Sequence, residues 1–188
     1  MKPNEWGPYV WYVIHTIFYN IPNDDYFITN KKVYLTFIKS LNSIIPCPIC
    51  RSHLYTLLKK GDLKKCNTKE DIINWAIAKH NLVNTRLKKK SFLRKDCDII
   101  YQNIDISYFF HGIDILTYNH QAKIPIKQYK MMFNSFKVIL PGNELKRYYN
   151  KSVGKYKIDF NTYNDILIWY RKVGQYILKQ FKSNSIQN

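Results

Sequence analysis

Apolar residues recur at three- and four-residue steps through much of this chain, the spacing of helices that bury one face. From Trp6 to Tyr19 the positions Trp6, Val10, Val13, Ile14, Ile17 and Phe18 form one wide stripe, which predicts an amphipathic helix with Asn4 as its cap. The stretch "IPNDDYFITN" reads as a loop. Thr29 or Asn30 then caps a second helix, Lys31 to Ile44, with Val33, Phe37, Leu41 and Ile44 on one face. Pro46 and Pro48 end it. Proline is tolerated in a first helical turn but not in an interior, so a third helix starts at about Pro48 and runs to Lys59, closed by Gly61. In "NTKEDIINWAIAKHNLVNTRLKK" Asn67 or Thr68 caps a fourth helix, with Glu70 or Asp71 in its first turn. Its inner face is mixed: Ile72, Trp75, Ala76 or Ile77, His80, Val83 and Leu87.

After Cys97 the texture becomes aromatic, as in "DIIYQNIDISYFFHGIDILTYN", and the boundary of a second unit falls between Cys97 and Ser107. A last helix is predicted from Thr162 to Phe181, with Ile166, Trp169, Tyr170, Val173, Tyr176, Ile177 and Phe181 at helical spacing. With 6 Gly and 7 Pro among 188 residues, turn-rich architectures are disfavoured and the chain reads as all-α. The net charge of +17 would point to nucleic acid or an anionic surface. Residues 1–104 carry 17 Lys/Arg against 8 Asp/Glu, and residues 105–188 carry 13 against 5, so the excess is spread and is weak evidence for either. No signal peptide is visible, and the longest apolar run, "YVWYVIHTIFYNIP", is too short for a membrane span and holds His15, so a soluble cytoplasmic protein is expected.

The four cysteines, Cys47, Cys50, Cys66 and Cys97, all lie in the first half. In a reducing compartment a CxxC pair is more often metal-binding or redox-active than a structural brace. Cys47 and Cys50 sit where a helix begins, and its amides and dipole favour a thiolate, with Arg51 adding to the bias. A zinc site would need two further ligands from Cys66, Cys97, His53 or His80, and no second ligand pair accompanies the first, so no metal is expected. Thioredoxin-like chemistry would need a strand before the pair. Trp11 and His15 share a helical face, and His80 with Asn81 and Asn84 stands on another helix, a combination that suits a planar redox cofactor between helices. Lys88, Lys89 and Lys90 follow, as a solvated face or a place for phosphates. His111 and His120 read as ordinary polar residues.

Trp6-Gly7, Trp11-x3-His15, Cys47-Pro48-Ile49-Cys50 and His80-Asn81-x2-Asn84 stand in the order and approximate spacing of the FAD-linked Erv/Alr sulfhydryl oxidases, and the sequence resembles that family over about residues 4–95. The form "IPCPICRSH" looks especially like the thiol oxidases of large DNA viruses, which agrees with an AT-rich, Lys/Asn/Ile/Tyr-laden composition; such a source would place the protein in host cytoplasm and virion. The resemblance implies a four- to five-helix bundle binding FAD over residues 1–100, followed by a helical extension, 101–188, of unassigned role. It implies that Cys50 is the flavin-proximal thiol and Cys47 the thiol that meets the substrate, with dioxygen as final acceptor and hydrogen peroxide as product. It further implies that Gly7, Trp11, His15, His80, Asn81, Asn84 and Lys89, or else Lys88, hold FAD, and that the protein can dimerise. Substrates would be protein thiols, such as a small redox protein with its own CxxC. The cysteine that many cellular members carry before the helix-four histidine is Ile77 here, and its partner position falls near Arg94. A Cys66–Cys97 disulfide is favoured as a substitute, with free thiols or a relay pair as alternatives. The competing reading is a basic nucleic-acid- or surface-binding adaptor with structural, zinc-bound cysteines.

Overall fold

A computed structural model describes residues 2–59, 61–118 and 124–185, apart from the side chains of 182, 184 and 185. Among the described residues all regular structure is helical: α1 (Pro3–Tyr19), α2 (Asp24–Ile44), α3 (Pro48–Lys59), α4 (Asp62–Lys65), α5 (Lys69–Arg86), α6 (Arg94–Tyr101), α7 (Ile106–Tyr118), α8 (Ile126–Ile139), α9 (Asn143–Lys155) and α10 (Tyr163–Ser185). The fold class is the one expected. His120 lies outside the described residues, while His111 is exposed and meets the Tyr9 ring edge-on at 4.3 Å.

Several boundaries move, each for a local reason. α1 begins at Pro3, because proline suits a first helical turn and the Glu5 carboxylate accepts the Lys2 amide at 2.9 Å; Asn4 is inside the helix. The stretch expected as a loop is mostly α2. Asn23 caps that helix by accepting the Tyr26 amide, and Asp24 and Asp25 in the first turn complement its dipole, so Thr29 and Asn30 are interior. α3 has the predicted bounds, and Gly61, at φ 73°, closes it and immediately starts the four-residue α4. Thr68 and Asp71 form a reciprocal capping box on α5.

α1 lies at the centre, packed against α5, α6 and α7, and Tyr12 through Phe18 are all buried. α2 runs against α3 and α8, and α10 packs on α9 and α7. One hydrophobic core therefore continues from Trp6, Phe18 and Phe37 through Phe109 and Phe133 to Trp169 and Ile177. The α1–α7 contact is close. A Cβ on Gly112 would stand 2.5 Å from Val13 Cγ2 and 2.6 Å from the Tyr9 carbonyl oxygen, so α7 can seat only because that position is glycine. Gly112→Ala is expected to push α7 off α1 and to cost about 1–3 kcal/mol, the usual range for overpacking. Urea unfolding checks this, and an unchanged midpoint and slope would contradict it.

Candidate functional site

α2 ends at Ile44, and the two prolines of "IPCPIC" turn the chain so that α3 restarts with Pro48 at its first position. Cys47 thereby becomes the residue just before α3. Its Sγ accepts the Cys50 amide at 3.1 Å, and its carbonyl accepts the Arg51 amide at 2.9 Å. Cys47 and Cys50 form a disulfide, with Cα atoms 5.1 Å apart. Both are half-buried, while Ile49 between them is 69% exposed. The Arg51 guanidinium is turned back to the Ile45 carbonyl at 3.1 Å, so it braces the α2–α3 turn.

Behind the disulfide opens a cavity of about 600 Å³ whose walls come from α1, α3, α5 and the α6–α7 region. Its size lies within the range of ordinary cofactor and ligand pockets. Gly7, Trp11, Cys50, His80, Asn84 and Lys89 line it, so six of the ten residues singled out in the sequence share one space. The other four stand beside it. His15 lies directly behind His80, its Nε2 3.0 Å from His80 Nδ1. Asn81 is occupied with the chain that follows α5, donating to the Phe92 carbonyl at 2.8 Å and accepting the Phe92 amide at 2.7 Å. Cys47, half-buried like Cys50, is not among the residues that line the cavity.

Lys88 sits at φ 54°, a left-handed backbone uncommon for a residue with a Cβ. The Lys88 amide donates to the Thr85 carbonyl at 3.1 Å and the Lys89 amide to the Asn84 carbonyl at 2.8 Å, the bond pair of a Schellman helix end. This reversal carries Lys89 to the cavity and leaves Lys88 at the turn.

Aromatic packing sets the deep wall. Trp11 stacks on His80 with ring centroids 4.3 Å apart and planes 8° apart, and Phe92 and Tyr101 close around His15 at 5.0 and 5.5 Å. Burial holds both imidazoles neutral: first loss of hydration and then the neighbouring His80 lower the His15 pKa to about 3, and loss of hydration followed by Lys89 lowers that of His80 to about 4. One neutral ring therefore donates to the other.

The residues that sequence reading missed here are mostly donors. Trp6 and Trp75 line the cavity, and their buried indole Nε1 atoms have no hydrogen-bond partner. Lys79, also in the wall, is 8% exposed and pairs with Asp62 at 3.2 Å, tying α5 to the short α4. Trp6 and Trp75 are indistinguishable from core residues by spacing alone. The signal was the indole N–H, a donor that needs a partner once buried.

The favoured Cys66–Cys97 disulfide is not formed; both thiols are free and buried. Cys66 ends α4 with Sγ 3.8 Å from the Asp62 carbonyl, and Cys97 is wholly buried on α6. Burial raises the Cys66 pKa, and it raises that of Cys97 to about 11 against the opposing pull of Arg94, so both stay protonated near neutrality. In the Cys47–Cys50 disulfide neither sulfur is a thiolate of the kind that binds zinc. No group of three or more His, Cys, Asp or Glu able to hold a metal occurs among the described residues.

Two measurements check this site. In the absence of reductant the denatured protein is expected to show two reactive thiols, and four after reduction; four without reduction would remove the Cys47–Cys50 disulfide. Because the folded pKa values of His15 and His80 lie below their ordinary 6.5, the unfolded state binds more protons as pH falls from 6.5 towards 4. Stability is full above 6.5 and is expected to fall by about 1.4 kcal/mol per pH unit for each histidine through that window. Carboxylates held low, such as Asp71 and Asp98, begin to act only from about pH 5 downward, so the histidines govern the fall between 6.5 and 5. A flat urea midpoint between pH 6.5 and 4 would contradict the neutral pair.

Comparison with known proteins agrees with this geometry. A FAD-linked sulfhydryl oxidase of African swine fever virus (isolate Pig/Kenya/KEN-50/1950) is 36% identical over 110 residues, 57% of this chain and 88% of that protein. The protein of the same name from isolate Tick/Malawi/Lil 20-1/1983 is 33% identical over the same shares. A protein of Acanthamoeba polyphaga mimivirus named "Probable FAD-linked sulfhydryl oxidase" is 32% identical over 92 residues, 48% of this chain and 64% of its own. No solved structure matches. The family described as Erv1 / Alr matches residues 8–104, which covers both walls that carry the disulfide and the histidines, and the chain belongs to that family.

Proposed function

We propose that the protein is an FAD-dependent sulfhydryl oxidase that makes disulfides in protein thiols. The observation that carries this reading is the placement of Cys50, disulfide-bonded to Cys47, in the wall of the same cavity as Trp11, His80, Asn84 and Lys89. The cavity fits the cofactor on its own terms. Its walls are mainly apolar and aromatic, it is large enough for a flat ring system, and two of its lining residues, Trp6 and Trp75, carry buried indole N–H donors without a partner. Lys89 and Arg86 in the same walls suit a diphosphate. Trp11, His80 and Asn84 would hold the cofactor directly, His15 would fix the His80 ring, and Gly7 leaves a wall without a side chain.

A substrate thiolate attacks Cys47 Sγ, the Cys47–Cys50 bond breaks, and Cys50 Sγ leaves with the electron pair. A second substrate thiolate then attacks the substrate sulfur of this mixed disulfide. The substrate disulfide departs and Cys47 Sγ is the leaving group. The Cys50 amide at 3.1 Å and the N-terminal end of α3 stabilise negative charge on that sulfur, which speeds its departure. The chemistry that bound FAD supplies is passage of the two electrons of the Cys47/Cys50 dithiol to dioxygen, which with two protons becomes hydrogen peroxide. Cys50 in the cavity wall is the cysteine placed to deliver them. The neutral His15–His80 pair adds no cationic charge to that wall and keeps the rings rigid.

The exposed Ile49 and the half-buried Cys47 beside it support direct engagement of a folded thiol protein, such as one with its own CxxC pair. No helix among the described residues is long and apolar enough to cross a membrane, and the viral sources of the relatives support action in a host cytoplasm or a virion. Within this reading residues 1–100 carry the redox chemistry and 101–188 support them.

Purified protein is expected to be yellow and to oxidise dithiothreitol with uptake of dioxygen. Cys47→Ser and Cys50→Ser are each expected to lower turnover at least a hundredfold while the protein still binds flavin. A folded, colourless protein that takes up no added FAD would overturn the proposal, and full turnover by Cys50→Ser would overturn the role of that residue.

A further inference from the structure

The family match ends at residue 104, yet the cavity does not. Asp105, in the α6–α7 connection, and Tyr108, in the first turn of α7, both lie beyond the match and both line the same space as Cys50 and His80. We propose that this segment is the end wall of the cofactor cavity, so that residues outside the family unit help determine how tightly FAD is held. The inference rests on the reading of the cavity as a flavin site and adds two residues to it.

The wall is held firmly in place. Tyr108 and Gly112 are one helical turn apart and so share a face of α7. Gly112 lets that face press onto the α1 backbone at Tyr9 and Val13. The Tyr108 ring then meets Tyr9 at 4.4 Å and Tyr12 at 4.9 Å. Tyr12, itself a lining residue, accepts the Asp105 amide on its hydroxyl at 2.8 Å. α7 is thereby joined to the helix that carries Trp11 and His15, and Tyr108 is presented half-buried beside the cavity.

Charge gives the wall a chemical identity. The other charged side chains that line the cavity, Lys79, Arg86 and Lys89, are cationic, and Asp105 is the single carboxylate. It accepts the Tyr108 amide at 2.9 Å and the Ser107 hydroxyl at 2.8 Å, bonds that cap α7 and hold its pKa below the ordinary value. An ionised acceptor at one end of a basic cavity suits a donor such as a sugar hydroxyl or an exocyclic amine, and a flavin nucleotide carries both. Tyr108 offers a ring face for apolar or stacked contact.

The test measures FAD affinity of the full-length apoprotein by quenching of flavin fluorescence, with the unfolding midpoint of each flavin-free variant alongside. Asp105→Asn keeps a residue that caps helices and removes only the charge, so it is expected to bind FAD about tenfold more weakly at an unchanged midpoint. Tyr108→Ala is expected to lose about tenfold, and Tyr108→Phe, which keeps the ring, to stay within about twofold of the parent. Wild-type affinity in Asp105→Asn and in a folded Tyr108→Ala overturns the proposal while leaving the flavin site itself intact. If Tyr108→Ala does not fold, Asp105→Asn decides alone. Absence of FAD binding by the parent protein overturns the proposed function and this wall together.

Discussion

The burial of the C-terminal half of α1 is the constraint from which the arrangement of this protein follows. A helix with seven consecutive buried residues, Tyr12 to Phe18, cannot lie on one surface and must be enclosed. α5, α6 and α7 enclose it, and each brings a distinct partner: His80 to His15, Tyr101 to Tyr12, and Gly112 to the Tyr9–Val13 backbone. Two polar side chains are taken into the interior as a result. His15 is tolerated there because it is neutral and bonded to His80, a pairing that removes most of the cost of burying an imidazole. The same bond holds His80 parallel to the Trp11 ring on which it stacks. The cavity wall is thus an outcome of packing the central helix, and rigid before any ligand enters.

The electrostatic plan separates two functions. Two neutral histidines and three aromatic rings stand together in one part of the wall. The cationic side chains that line the cavity are Lys79, which pairs with Asp62, Arg86 and Lys89, and the N-terminal end of α3 lies at the disulfide. A thiolate formed at Cys47 is therefore met by the Cys50 amide and by the partial positive charge of α3, whereas one formed at Cys66 or Cys97 would be stranded in apolar surroundings. Four cysteines of identical chemistry are sorted by position into one disulfide pair and two buried thiols.

Much of this was legible because it is local. Helical spacing, the prolines of "IPCPIC" and the Thr68–Asp71 box act over a few residues, so the fold class, the bounds of α3 and the start of α5 could be read directly. The start of α2 was lost because "IPNDDYFITN" contains turn-forming residues that serve equally as a cap and a first turn; Asn23 and its two aspartates decide for the helix. What spacing cannot report is which faces meet. Asn81 and Asn84, three residues apart, both hold the chain that follows α5, at Phe92 and at the Lys90 carbonyl, and only Asn84 also lines the cavity. Cys66 and Cys97 looked like a pair by elimination only, and their separate neighbourhoods, beside Asp62 and within the α6 core, are tertiary facts.

The distribution of thiols also constrains how electrons can enter. All four cysteines lie between residues 47 and 97, and two of them are buried thiols with raised pKa values. The described structure therefore contains no second dithiol to stand between a substrate and the Cys47–Cys50 disulfide. A relay would require Cys66 or Cys97 to ionise and reach solvent, and wholly buried Cys97 can do so only if α6 opens. Opening α6 would break the Tyr101 contact with His15 and disturb the wall on which the flavin reading depends. Under the proposed function, exchange takes place at the half-buried pair itself, which suits a substrate whose own thiols project far enough to touch a helix start beside Ile49.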